Sequence, residues 1–251
     1  MGGISMFRIV IVGWKAEQYV ERCLNSVIHQ SVKDWTACVV LDPAGDRTIA
    51  IAQAIAAKDS RITVVANEKQ LYAIPNIIRS IDEQRPSDND VIATLDVDDW
   101  FSGPDTLEIV KRYYDSNPDL LMTHGSWMPY PRPNDPTNNG PYSAEDWAKG
   151  LRRVDWRATH LRTFKYKVWK HVSHDDFRGP DGEYAKVAWD LFLMWPMLEM
   201  SGMYRVQYIP DRIYTYNQET PFNDNKLRLR EQMSLADYIA AKPPYIYREC
   251  F

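Results

Sequence analysis

Within VIATLDVDDWFSGPDTL (91–107), Asp96, Asp98 and Asp99 stand within four positions at the end of an apolar run. Like charges that close repel one another, and each resists leaving water. Oxygen ligands clustered at a strand end suit a hard divalent cation, Mn²⁺ or Mg²⁺, that leaves room for a phosphate-bearing substrate. A second acid, Asp42, closes the apolar run WTACVVLD (35–42). Its carboxylate is an acceptor that would suit a donor such as the N3–H of uracil or thymine. A strand-end aspartate also caps the turn that follows it, and the residues leave both readings open. A third acid, Asp190, interrupts the apolar stretch VAWDLFLMW (187–195). A carboxylate there is costly without a partner. The residues read it as an acid at the polar edge of the helix or as the ion-pair partner of Arg162 or Lys165.

The elements that must hold these groups alternate along the first half. RIVIVG (8–13), WTACVVLD, RITVVAN (61–67) and DVIATLD (90–96) are short β-branched runs. Between them lie AEQYVERCLNSVIHQ (16–30), with Tyr19, Val20, Cys23, Leu24, Val27 and Ile28 in one stripe, then DRTIAIAQAIAAKD (46–59) and a helical stretch over 74–84. DTLEIVKRYYDSN (105–117) predicts another helix, stopped by Pro118, and DLLMTHGSW (119–127) a fifth strand. Such alternation predicts βαβ units and a mostly parallel twisted sheet flanked by helices. Asp42 and Asp96 then fall on the rim where sheets of this kind bind ligands.

The texture changes beyond Trp127. MPYPRPNDPTNNGPYS (128–143) holds five prolines and three asparagines and predicts a long loop, read as a lid over 128–141. KGLRRVDWRATHLRTFKYKVWKH (149–171) carries eight Lys or Arg and one acid. As a cluster it suits a phosphate-bearing ligand, its interleaved aromatics also permit a nucleic-acid surface, and residue by residue it suits a solvated helical face. The stretch 179–202 predicts a turn and an apolar helix broken or kinked at Pro196, 204–217 one or two short strands, and 226–240 an amphipathic helix. No linker divides the chain. The expectation is a single domain over 1–251, with a nucleotide-binding half at about 6–127 and a lid, acceptor side and C-terminal helix at about 128–251.

The net charge of −4 provides no global basic field for nucleic acid or anionic membrane. The three cysteines, Cys23, Cys38 and Cys250, fit neither a zinc spacing nor a disulfide framework. No run reaches 18 apolar residues, and MGGIS lacks the basic and apolar parts of a signal peptide. The expected location is cytoplasmic.

VIATLDVDDWFSGPDTLEIV resembles the D-x-D segment of family 2 glycosyltransferases with a GT-A fold. RIVIVGWKAEQYVERCLNSVIHQSVKDWTACVVLD is similar to that family's opening strand, its cysteine–leucine–serine helix, the Gln before a turn and the second strand ending in Asp. LDPAGDRT resembles the acidic turn that follows, so the likeness covers about the first 125 residues in order. Two departures stand out. Val12, Gly13, Trp14 and Lys15 replace the usual Pro and Tyr-Asn, and the usual paired Asp after strand two is Asp42 alone.

The resemblance implies a GT-A-type, Rossmann-like fold and an inverting, metal-dependent transfer of a sugar from a nucleotide diphosphate sugar, of UDP or dTDP type, to an acceptor hydroxyl. It implies Asp96, Asp98 and Asp99 as metal ligands, Trp14, Asp42, Asp96 and Arg162 on the donor, with Asp42 receiving the base's N–H, and Asp190 as the general base, with Asp181 and Glu183 next in line for that role. His124, Tyr214, Tyr216 and Asn217 look like pocket-lining positions in relatives. The acceptor is left open among glycan, small molecule, protein and modified nucleic acid. One alternative is a nucleotidyltransferase, which would carry a Gly-rich loop where VGWKAEQY has one glycine. The other is an inactive nucleotide- or glycan-binding module.

Overall fold

The structure, a computed structural model, describes residues 5–137, 139–222 and 227–251. Eight strands form one sheet in the order β3-β2-β1-β4-β7-β6-β8-β5. Strands β1 (Phe7–Gly13), β2 (Trp35–Leu41), β3 (Ile62–Ala66) and β4 (Val91–Asp96) are mutually parallel, as the alternation predicts. The second half makes the sheet mixed. Strand β7 (Arg162–Lys165) inserts antiparallel between β4 and β6 (Met122–Tyr130), so the fifth strand of the sequence does not pair with the fourth. Strand β8 (Val206–Asn217) runs parallel to β6, with register shifts around Ser126, and the two-residue β5 (Trp100–Phe101) pairs antiparallel with β8.

Period-two alternation sorts the strand residues between two cores. Ile9, Ile11, Val39, Ala93 and Leu95 face one side. They meet α1 (Val20–Ile28), through Val20, Cys23, Leu24 and Val27, and α4 (Thr106–Ser116), through Leu107, Val110 and Tyr114. Val10, Val12, Val40 and Ile92 face the other. They meet α3 (Ala73–Gln84), through Ile74, Ile77 and Ile81, and α7 (Trp189–Ser201). Helix α2 (Thr48–Ala56) packs beside α1; α5 (Ala144–Lys149) and α6 (Tyr166–Trp169) are short, and the C-terminal helix spans Leu229–Ala241. Helix α7 runs through Pro196 unbroken.

Two corrections follow. Met128–Tyr130 extend β6, and described residues of the Pro/Asn-rich segment after them bond to the rest of the fold. Asn139 bonds Ser126 and Thr159, and Arg212 donates to the Pro133 carbonyl (2.8 Å). Four of the eight cations of 149–171 are taken up separately. Arg152 makes a buried bidentate pair with Glu199, Lys149 pairs with Glu145, Lys170 with Asp88, and Lys165 is buried in β7. The basic run contains a buried antiparallel strand and is therefore not one solvated helical face.

Lys165 gives a stability prediction. Its Nζ donates to the Pro118 carbonyl (3.0 Å). Burial, then the neighbouring charge of Lys167, lowers its pKa to about 8 from the ordinary 10.5. Between those values the unfolded chain binds the proton more tightly, so stability is lowest below pH 8 and rises as pH climbs toward 10.5. The contribution is at most about 3 kcal/mol. Lys165→Met is expected to lack this rise. Denaturant unfolding of both proteins at pH 8 and pH 10.5 checks it, and an equal pH response in the two would refute it.

Candidate active site

The strand order reverses between β1 and β4: the chain builds β1, β2 and β3 toward one edge, then returns to lay β4 on the other side of β1. At such a switch point the loops leaving adjacent strands diverge and open a crevice beyond the carboxyl ends. Here that crevice is a cleft of about 580 Å³. It receives Gly13 and Trp14 from the end of β1, Asp42 from β2, and Asp96, Asp98 and Asp99 from β4. Gly13 has φ +151°, and a Cβ there would collide with Val97, so a bare backbone lets β1 turn away against the aspartate loop.

Beneath that loop, buried Gln30 fixes its shape. Its amide donates to the Gly103 carbonyl (2.7 Å) and accepts the Leu107 N–H (2.9 Å). Asp99 is fully buried. Its Oδ2 accepts from the Tyr214 hydroxyl (2.6 Å) and its Oδ1 from the Asn217 N–H (2.7 Å). Asn217 also donates its side-chain amide to the Asp98 carbonyl (3.1 Å), so the end of β8 clamps the cluster. Burial, with the charges of Asp98 and Asp96, pushes the Asp99 carboxyl well above the ordinary range. Asp96, Asp99 and His160 each bring a ligand atom within 4.8 Å of the others. Carboxylates whose mutual repulsion is this unfavourable fit a divalent cation.

Asp42 is buried and heavily bonded. Oδ1 accepts from the amides of Asn67 (2.8 Å) and Asn76 (3.0 Å), and Oδ2 from the Tyr72 N–H (2.9 Å). Trp14 packs against Phe222 with centroids 5.9 Å apart. Tyr72 and Ala188, both lining the cleft, hold left-handed backbone (φ +67° and +55°), as does Lys15 after Trp14 (φ +50°). Each costs a non-glycine residue about 1–3 kcal/mol, and such strain gathers at functional sites.

Asp190 opens α7 on the same cleft. The ion-pair reading holds, with Arg162 as the partner, and the residue also faces the cleft. Its Oδ2 accepts from Arg162 Nη2 (3.1 Å) and from the Trp156 indole N–H (3.1 Å). No described residue bonds Oδ1. Asp181 and Glu183 are exposed in a turn and line no part of the cleft. Arg162 lines the cleft with its side chain 4% exposed, and also donates to the Ala158 carbonyl (3.2 Å).

The described residues of the Pro/Asn-rich segment contribute nothing to the lining. Thr220, Phe222, Leu227 and Arg228, beyond β8, contribute instead. Tyr216 lines the cleft and Tyr214 and Asn217 hold the aspartates, whereas His124 is buried between Tyr142 and Tyr208, outside the lining. Sequence reasoning missed His160 and the role of Trp156. Each sits in irregular chain, and no periodicity marks what such residues face.

The family model for glycosyl transferase family 2 matches residues 8–178. The chain belongs to that family. Its sheet and flanking helices match GT-A glycosyltransferase structures. Over 93% of its length it superposes on S. aureus TarS in complex with UDP (TM-score 0.65, 15% identity, 65% of that chain). Over 95% it superposes on a Pyrobaculum calidifontis mannosyltransferase in complex with GDP-Man and Mn²⁺ (TM-score 0.64, 13% identity, 65% of that chain). Among curated proteins it is 30% identical over 115 residues to EpsH of Bacillus subtilis, named as a glycosyltransferase. It is 23% identical over 128 residues to an uncharacterised glycosyltransferase of Haemophilus influenzae. Those matches take in 45% and 51% of this chain, but only 32% and 38% of the relatives. No helix among the described residues is long and apolar enough to cross a membrane.

Proposed function

We propose that this chain transfers a sugar from a nucleoside diphosphate sugar to an acceptor hydroxyl with inversion at the anomeric carbon. The observation that carries this reading is the placement of Asp96, Asp98 and Asp99 at the switch-point crevice with Asp190 on the same cleft. Five acids and three bases line that cleft among the described residues, so an anionic diphosphate enters favourably only with a cation. The carboxylates of Asp96, Asp98 and Asp99 would hold Mn²⁺ or Mg²⁺. When bound, such an ion stabilises the charge that develops on a departing diphosphate. The TarS and mannosyltransferase structures, with UDP and with GDP-Man and Mn²⁺, support the ligand class.

The acceptor oxygen attacks the anomeric carbon from the face opposite the diphosphate. The new C–O bond forms as the bond to the phosphate oxygen breaks, and that electron pair leaves with the nucleoside diphosphate. The acceptor's proton goes to Asp190. Two donors already occupy Oδ2, so Oδ1 is the accepting atom. Asp42 supports a uridine or thymidine donor. Its Oδ1 is filled by two amides, and its Oδ2, already bonded to Tyr72, has one position left for a single N3–H; guanine would present two N–H groups. Trp14 supplies a stacking plane beside it.

A donor panel tests the reading: UDP-, dTDP- and GDP-sugars with Mn²⁺, scored by thermal shift and by release of the nucleoside diphosphate. Binding of UDP or dTDP forms that EDTA abolishes is the expected result. Equal binding of all three bases in EDTA, or none with Mn²⁺, would remove it.

A further inference from the structure

His160 shares the aspartate cluster, and its three neighbours define what its ring can do. It is stacked on Tyr214, with centroids 4.4 Å apart and planes 18° apart, and on Tyr216 at 5.5 Å and 18°. Its Nδ1 lies 3.1 Å from Arg162 Nη1. A guanidinium only donates, so Nδ1 accepts, and the ring's proton sits on Nε2. Arg162 is itself held in place by the Ala158 carbonyl and by Asp190.

A metal-ligating histidine has the opposite surroundings. It gives its second N–H to a carboxylate, a carbonyl or water, which fixes the tautomer and raises the basicity of the ligating nitrogen. Were His160 to bind a cation through Nε2, its remaining proton would move to Nδ1 and face the Arg162 donor. Were it to bind through Nδ1, it would have to give up Arg162 altogether.

We propose that His160 is a donor-binding residue and not a metal ligand: it gives its Nε2–H to an oxygen of the diphosphate bound beside the aspartates. This rests on the nucleotide-sugar reading above. One ring nitrogen of His160 and one oxygen each of Asp96 and Asp99 lie within 4.8 Å of one another, so an oxygen in the coordination sphere of a cation on the two carboxylates would lie beside the imidazole. The tyrosine stack fixes the plane of the ring and so the direction of that N–H. Through Arg162, one chain of hydrogen bonds joins this donor contact to Asp190.

The experiment uses the whole chain with Mn²⁺ and UDP as probes. Pulsed EPR on the wild-type Mn²⁺·UDP complex is expected to show no coupling to a directly coordinated imidazole nitrogen. Calorimetry is expected to show His160→Ala weakening Mn²⁺-dependent UDP binding about tenfold, the worth of one hydrogen bond to a charged group. His160→Gln, which keeps an N–H at a similar reach, should recover most of it, and Mn²⁺ affinity should stay at the wild-type value in both. A coordinated nitrogen signal that disappears in His160→Gln would overturn the proposal. So would loss of Mn²⁺ affinity in His160→Ala, or wild-type UDP binding by that variant. Failure of the wild type to bind UDP with Mn²⁺ would instead strike the nucleotide-sugar reading on which the proposal stands.

Discussion

Asp190→Asn is expected to slow sugar transfer by roughly 10²- to 10⁴-fold, the usual contribution of a general base, while leaving Mn²⁺-dependent UDP binding near wild type. The amide keeps the carboxylate's shape. Its oxygen can take over the bonds from Trp156 and Arg162, so the start of α7 keeps its anchors, but the group that faces the cleft no longer accepts a proton. The cost appears in kcat, because the interaction removed belongs to the chemical step. Release of UDP from a UDP-sugar, measured with acceptor or with water in its place, checks the rate, and calorimetry checks binding. A folded variant with normal turnover would remove Asp190 from the base role. A variant that does not fold would favour the structural role of the pair, since a buried Arg162 left without its partner charge is strongly destabilising.

The second large effect concerns the aspartates. Asp98→Asn is expected to weaken Mn²⁺ binding by more than the roughly 10- to 100-fold attached to residues that only support a ligand, because it alters a ligand itself. Nucleotide binding should then lose its sensitivity to EDTA. Asp99→Asn is expected to do this and to destabilise the fold as well. The Asp99 carboxylate accepts from both Tyr214 and Asn217, and an amide would turn its NH₂ toward one of these two donors. Mn²⁺ titration followed by EPR, beside thermal unfolding, separates the two consequences. Wild-type Mn²⁺ affinity in both variants would show that the cluster holds no cation.

The parallel half of the fold was legible because its signals are local. Val20, Cys23, Leu24 and Val27 repeat at helical spacing, and RIVIVG, WTACVVLD and VIATLD are short β-branched runs between helices. Once those strands are parallel, their carboxyl ends share a rim, and Asp42 and Asp96 must meet there. The sequence by itself therefore determined the βαβ half, the shared rim of carboxylates and the family resemblance. The tertiary structure decided what faces that rim. Periodicity records how a segment alternates, not which segment it pairs with. Nothing local in THLRTFKYKVW indicates that Arg162–Lys165 slides antiparallel between β4 and β6, which buries Lys165 and carries Arg162 to the cleft. Composition marked 128–141 as loop, yet the lining beyond β8 comes from Thr220, Phe222, Leu227 and Arg228, because coverage of a cleft depends on where a segment starts in space. The clamp of Tyr214 and Asn217 on Asp99, 115 and 118 residues away, and the hold of Trp156 and Arg162 on Asp190 are long-range pairings of polar atoms. Such pairings exist only after the sheet has closed, since burial is what makes an unpartnered donor or acceptor costly enough to select its mate.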